Sequence, residues 1–172
     1  MSEKPNQEPT EPSVSFTTLK VKNKVWAKFI STISQIPGAS STYLQSNVVQ
    51  HDDNTSGINS QQITNKGGRI TFQQSGTYMI IVNVQVGALT GIGDLHLWFR
   101  LNGSDVSNSN VVRSLVNEND VSILLNQLAI ELESGDYIEL VYSTTNSRLG
   151  IITLLQVGEP TPISAAALIF RA

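Results

Sequence analysis

"ITFQQSGTYMIIVNVQV", residues Ile70 to Val86, is the stretch that decides the fold class. It opens on polar amides, pivots on Gly76 and then runs apolar on both parities. Successive side chains of an extended strand point to opposite faces, so Tyr78, Ile80 and Val82 share one face while Met79 and Ile81 occupy the other. The stretch "SAAALIF" near the C-terminal end repeats the pattern, with Ala166, Leu168 and Phe170 on one side and Ala165, Ala167 and Ile169 on the other. In "DLHLWFRLNG" only one face is apolar: Leu95, Leu97, Phe99 and Leu101 alternate with His96, Trp98 and Arg100. A sandwich strand needs a single apolar face. A second one needs a cover, and the chain shows almost no helical periodicity from which to build one. Another copy of the same chain is the economical cover; a tail or loop folded over the sheet is the alternative.

The rest of the chain agrees with strands. Val-, Ile-, Tyr- and Phe-rich runs predict strands at Val25–Ile30, Ser46–Gln50, Arg69–Phe72, Thr77–Val86, Asp94–Leu101, Val121–Leu132, Tyr137–Ser143 and Ile163–Arg171, with another near Leu149–Leu155. Asn102-Gly103, Ser134-Gly135-Asp136 and Lys66-Gly67-Gly68 supply the residues that tolerate tight turns. The expected fold is all-β: a two-sheet antiparallel jelly-roll sandwich of about ten strands, formed by residues 15–172. Residues 1–14 are Pro-, Glu- and Ser-rich and cannot repay their ordering entropy by burial, so they read as a disordered tail or tether.

Composition excludes several classes. The 172 residues carry a net charge of −3 and no cysteine, so neither disulfides nor a thiolate metal site can form. The densest basic run, Lys20 to Lys24, reads as a solvated strand start, and nucleic acid is not an expected partner. No run approaches the roughly 18 apolar residues of a membrane helix, so membrane insertion is not expected either. The opening "MSEKPNQEPTEPSVS" lacks the basic start and apolar run of a secretory signal. Synthesis in a cytosol follows as an expectation, with lysis, a signal-independent route or incorporation into a virion or particle surface all left open.

Several short motifs, taken in order, resemble those of the C1q/TNF superfamily, and specifically its stand-alone C1q-like globular domains. Ile70 precedes Gly76-x-Tyr78-x-Ile80 by six positions. Phe99-Arg100-Leu101-Asn102-Gly103 keeps an Asn-Gly turn, Leu132-Glu133-Ser134-Gly135-Asp136-Tyr137-Ile138 follows, and an apolar strand over Ala166 to Phe170 comes last. The resemblance spans roughly residues 20 to 172. It implies a jelly roll that trimerises through an inner sheet containing the strands Thr77–Val86, Tyr137–Ser143 and Ile163–Arg171. On that basis Tyr78, Ile80, Val82, Tyr142, Leu168 and Phe170 are the expected trimer-interface residues. The departures are the absence of a collagen-like stalk and of cysteine, with Ile at positions 70 and 80 where family members carry aromatics. The wealth of Asn, Gln, Ser and Thr is reminiscent of viral, phage or spore surface proteins.

Catalytic patterns are sparse. His51 and His96 are the two histidines, without the spacing of a metal pair, and no Gly-x-Ser-x-Gly nucleophile elbow occurs. "GALTGIG", Gly87 to Gly93, lacks the Lys-Ser/Thr ending of a phosphate loop and reads as a connection between strands. His51-Asp52-Asp53-Asn54 offers hard oxygen ligands of the kind calcium takes, though not at EF-hand spacing, and an acidic loop facing water is the plainer reading. No catalytic residue, metal or cofactor is assigned. The stronger lead is His96, Trp98 and Arg100 on the non-core face of one strand, since Trp and Arg are enriched at binding hot spots and an indole can stack on a sugar ring. The alternative is that a neighbouring loop or subunit covers Trp98. The expected function is a non-enzymatic homotrimeric recognition or surface module that binds a protein or glycan receptor multivalently. A structural building block of a virion or other surface assembly is the competing expectation.

Overall fold

Strand pairing begins from one long element, Gly76–Ala88, which is hydrogen-bonded on both sides. The computed structural model describes residues 24–37, 45–52, 56–58, 60–154, 158 and 160–172. Among these, one sheet runs β3 (Ser56–Ile58), β1 (Trp26–Ser31), β13 (Ala165–Arg171), β6 (Gly76–Ala88) and β10 (Val121–Leu132), with β12 (Leu149–Ile151) also paired to β6. The other runs β4 (Ile63–Lys66), β5 (Arg69–Phe72), β11 (Tyr137–Thr144), β7 (Gly93–Leu101) and β8 (Ser104–Asp105); β2 (Asn47–Val48) pairs with β11 and β9 (Val111–Leu115) with β7. All of these pairings are antiparallel. The chain passes repeatedly between the sheets, which gives the expected all-β, jelly-roll-like sandwich.

The strands at Arg69–Phe72 and Val121–Leu132 form where the pattern predicts them. Ser46–Gln50 contracts to Asn47–Val48, because Gln35 rather than a strand pairs with the backbone of Gln50. Strands β4 and β9 carry no clean alternation: the inward positions of β4 are Ile63 and the polar Asn65, and β9 buries Leu115 alone among its five residues. The predicted tail at residues 1–14 and most of the basic run lie outside the described residues.

The core lies between the sheets and is built from one parity of each strand. Tyr78, Ile80, Val82, Val84 and Val86 of β6 are all buried there, with Ala165, Ala167 and Ile169 of β13 and Ala27 and Phe29 of β1 beside them. Leu95, Leu97 and Phe99 of β7 meet them from the opposite sheet, as their alternation predicts. Phe72 and Tyr78 pack edge to face at 4.6 Å, and the Tyr78 hydroxyl is satisfied by donating to the Gln74 carbonyl at 2.7 Å.

Two expectations about the inner sheet are corrected. Strand β11 does not share a sheet with β6 and β13; it pairs with β7 from Ile138↔Leu101 to Thr144↔Leu95. Tyr142 accordingly points into the sandwich, where its hydroxyl donates to the Gln35 carbonyl at 3.0 Å and burial pushes its pKa up to about 12. Tyr78, Ile80 and Val82 likewise face the partner sheet of their own chain and cannot meet another subunit. Their parity wins the core because it stays apolar through Val84 and Val86, whereas the Met79/Ile81 parity continues into Asn83 and Gln85.

Two turns that are distant in sequence clasp each other. Asn102 at φ 49° and Gly103 at φ 85° form the predicted hairpin turn after β7. The Asn102 side chain donates to Asp136 Oδ1 at 2.7 Å and accepts from the Tyr137 N–H at 3.0 Å, while Asp136 Oδ2 accepts from the Glu133 N–H at 2.8 Å. The Asn102 amide, and then the Glu133 N–H, hold the Asp136 carboxyl below the usual range.

Two tests follow from this core. Ile80→Ala removes a fully buried side chain and is expected to lower stability by about 2–5 kcal/mol in urea denaturation. His51 is buried with neither ring nitrogen hydrogen-bonded, and burial pulls its pKa from 6.5 down to about 4. The unfolded chain therefore binds a proton that the folded one refuses, and stability falls as pH drops from 6.5 toward about 4. The loss is on the order of 3 kcal/mol. His51→Leu should flatten this part of the stability–pH curve; an unchanged slope would assign it to other groups.

Candidate functional site

The β7 sheet is interrupted at one point on its edge. Residues Gly93–Leu97 pair with β9, and Arg100 and Leu101 pair with β8, leaving Trp98 and Phe99 without a strand on that side. The chain between β8 and β9, residues 106–110, arches over the gap. Backbone groups left open there are satisfied locally: Val106 N–H donates to the Phe99 carbonyl at 2.9 Å, and Phe99 N–H donates to Ser109 Oγ at 3.1 Å. The Ser109 hydroxyl in turn donates to the Val106 carbonyl at 2.7 Å.

A buried amide fixes this arch from within. Asn126 of β10 occupies an inward position where its neighbours Leu124 and Leu132 are apolar. Its Nδ2 donates to the Ser109 carbonyl at 2.8 Å and to the Leu97 carbonyl at 3.2 Å, and its Oδ1 accepts from the Gln127 N–H at 2.8 Å. A buried polar side chain with its bonds made is a rigid connector. Here it ties the β6 sheet to both walls of the edge gap.

The gap is a groove of about 350 Å³ lined by His96, Trp98, Asp105, Val106, Asn108, Asn110 and Ser143. His96, Trp98 and Arg100 do share its face of β7, as their alternation predicts, and all three are half-buried. Trp98 Nε1 donates to Asp105 Oδ1 at 2.8 Å, and Arg100 Nε donates to the same oxygen at 3.0 Å. These bonds, the indole's first, keep the Asp105 carboxyl ionised below its usual range. Arg100 thus serves to hold Asp105 and does not itself line the groove. His96 Nδ1 lies 3.3 Å from the Asn110 amide nitrogen; a donating amide there makes Nδ1 the acceptor and leaves the proton on Nε2. Asn108 sits at φ 60°, a left-handed conformation that Asn tolerates and most side chains do not.

Sequence reasoning missed Asp105, Asn108, Asn110 and Ser143. The first three follow the Asn102-Gly103 turn, and a hairpin there returns them alongside β7; that was the available signal. Ser143 is brought in by pairing alone, opposite His96 on β11.

The outer face of the β6 sheet differs in kind. One row crosses β3, β1, β13, β6 and β10 as Ile58, Trp26, Phe170, Met79 and Ala129, each directly paired with the next. The next row is Ser56, Lys28, Leu168, Ile81 and Gln127, and Leu125 and Ile123 extend the apolar surface along β10. Phe170, Met79, Leu125 and Ile123 are exposed, at 39%, 41%, 57% and 61%. Of the residues expected at a subunit contact, Leu168 and Phe170 lie on this outer face, beside Trp26, Met79 and Ile81, and Tyr78, Ile80, Val82 and Tyr142 do not. The outer face of the β7 sheet is polar by comparison, with Glu139 paired to Arg69 at 3.1 Å and Arg69 stacked over Tyr137 at 4.0 Å.

Of the acidic loop, Asp52 is half-buried, its N–H donating to the Ile30 carbonyl, and Asp53 and Asn54 lie outside the described residues. Among the described residues no three His, Asp or Glu side chains gather as a metal site would require. The segment Gly87 to Gly93 connects β6 to β7, pinned by the Asn146 amide donating to the Thr90 and Ile92 carbonyls. No protein-family model matches the chain, and no curated protein matches it closely enough to be a relative.

Because Asp105 is exposed, its bonds orient the indole more than they stabilise the fold. Asp105→Ala is expected to cost no more than about 1 kcal/mol, yet to lower the order parameter of the Trp98 Nε1–H in NMR relaxation. An equally rigid indole in the variant would show that packing alone positions it.

Proposed function

We propose that the chain is a non-enzymatic, homotrimeric recognition module of C1q/TNF-like architecture, which presents the Trp98 groove in several copies to a protein or glycan partner. The observation that carries the reading is the continuous apolar row Ile58–Trp26–Phe170–Met79–Ala129 on the outside of the β6 sheet. Contiguous exposed apolar surface of this kind marks an interaction site. Two depressions flank it, one at Trp26, Ile58 and Phe170 and one at Ile81, Ile163, Ala166 and Leu168, which would receive projecting side chains such as Met79 and Leu125 from another copy. Lys24 and Arg171 also line the first depression and Lys28 the second, while Glu131 follows Ala129 along β10; the apolar row itself contains no charged residue.

The groove lies on the other sheet and so stays open when the β6 sheets associate. Multiplying a weak single-site contact by three through effective concentration gains about 10²–10⁴ in avidity where geometry allows simultaneous engagement. What lines the groove supports binding over chemistry: amides, a hydroxyl, an indole and the His96 imidazole, whose Nδ1 faces the Asn110 amide, with the one carboxylate, Asp105, already engaged by Trp98 and Arg100.

Light scattering coupled to size exclusion tests the assembly. The expected mass is three times the 18.7 kDa chain. Leu168→Glu should give a folded monomer, by circular dichroism, while Trp98→Ala should leave the trimer intact and abolish partner binding. A wild-type monomer at micromolar concentration would sink the reading.

A further inference from the structure

We propose that the groove between β7 and residues 106–110 is a subsite for a neutral pyranose, stacked on the Trp98 indole. The inference deepens the recognition reading above and rests on it for multivalency, while the subsite itself depends on one chain alone.

Three features point to a sugar. The first is the platform. Trp98 lines the groove, and its ring is held at the indole nitrogen by Asp105. A ring fixed this way offers its π face to the apolar C–H face of a pyranose without having to be ordered on binding. The second is the set of polar groups around the ring. Asp105 Oδ1 already accepts two bonds, which leaves Oδ2 to accept a hydroxyl proton. The exposed Asn108 and Asn110 amides can donate and accept, Ser143 adds a hydroxyl, and His96 Nε2–H is a donor in the tautomer set by Asn110. A mixture of donors and acceptors at the edge of an aromatic plane matches a polyol, whose hydroxyls need both.

The third feature is charge. The cation beside the groove, Arg100, is bound to Asp105, and the carboxylate itself remains ionised in the lining. The lining itself contains no Lys or Arg to hold a phosphate, a sulfate or the carboxylate of sialic acid, so the ligand is uncharged. Nor does the lining suit the apolar anchor of a protein partner, for Val106 is its one aliphatic side chain. The volume of about 350 Å³ is at the small end of ligand pockets and has room for a single ring rather than an extended chain. The walls are held by the chain's own hydrogen bonds, since Ser109 and Asn126 clamp the arch.

The test is a titration of the full-length, ¹⁵N-labelled protein with the methyl β-glycosides of galactose, glucose, mannose and N-acetylglucosamine, and with N-acetylneuraminic acid as the charged comparison. The molecular mass is measured on the same samples. The Trp98 indole N–H resonance is identified by its disappearance in Trp98→Phe. At least one neutral glycoside should shift it, together with the Asn110 side-chain amide, along one saturating curve, while the Trp26 indole stays still. Dissociation constants near about 1 mM are expected for one shallow subsite. Trp98→Ala should weaken binding by about tenfold or more; Asn110→Ala, at an exposed loop position, should weaken it several-fold and serves if Trp98→Ala does not fold. A silent Trp98 indole, a response to N-acetylneuraminic acid alone, or unchanged affinity in the variants overturns the sugar subsite. If the sample is then trimeric, the recognition module survives without it. If the sample is monomeric and Trp98 still responds, the subsite stands and the trimeric reading falls.

Discussion

The register of β6 is the constraint on which the rest of the molecule depends. It pairs with β10 from Gly76↔Leu132 through Gly87↔Val121, with β13 from Tyr78↔Arg171 to Val84↔Ala165, and with β12 at its far end. Because side chains alternate with period two, a slip of one residue would exchange every inward side chain for its outward neighbour. Tyr78, Ile80, Val82, Val84 and Val86 would leave the core and Asn83 and Gln85 would enter it. Burying those two amides without partners would cost far more than the Met79 and Ile81 side chains could restore. One register satisfies the core, and it leaves Met79 and Ile81 outside, level with Phe170 and Leu168. The apolar outer face is thus a consequence of the packing inside.

The two sheets carry different surfaces for a related reason. On the β6 sheet the inward positions are apolar except for a few such as Asn126, yet the outside carries an apolar row too, which a solitary sandwich does not require. On the β7 sheet the outer positions of β7 and β11 include His96, Trp98, Arg100, Tyr137, Glu139, Val141 and Ser143, and Asn126 reaches the β7 backbone from the core. That residue replaces an apolar contact by three hydrogen bonds, and the groove wall is what it holds. A buried polar group can thus support a surface site about one sheet thickness away, without touching whatever binds there.

Much of this was legible in the chain itself. Alternation in Asp94–Leu101 separated Leu95, Leu97 and Phe99 from His96, Trp98 and Arg100, and both sets lie where the alternation puts them. Asn102-Gly103 and Gly135-Asp136 identified two turns, although nothing in their spacing indicated that the Asn102 and Asp136 side chains bind each other. Tyr78 to Val82 alone do not say which face of β6 is inside; extending the parity to Val86 distinguishes the two faces. Strand β4 has a single apolar residue, and the three of β9 do not alternate, so neither registers as a strand from its own pattern; their pairing comes from β5 and β7. Asp105, Asn108 and Asn110 looked like ordinary turn residues, because polar side chains after a hairpin usually face water.

Local pattern determined the class of structure: an all-β chain with its turns in place, one strand with a polar face bearing Trp98, and two strands with more apolar surface than a single sandwich can bury. Period-two alternation is a property of the backbone, so such statements need no knowledge of what packs against what. Tertiary structure alone decided which of the two apolar faces became the core, that β11 joins β7 rather than β6, and that Asp105, Asn110 and Ser143 converge on Trp98. Each of these depends on pairing between segments far apart in the chain. The free energy of such pairing lies in the match between two strands, and neither strand carries that match in its own residues.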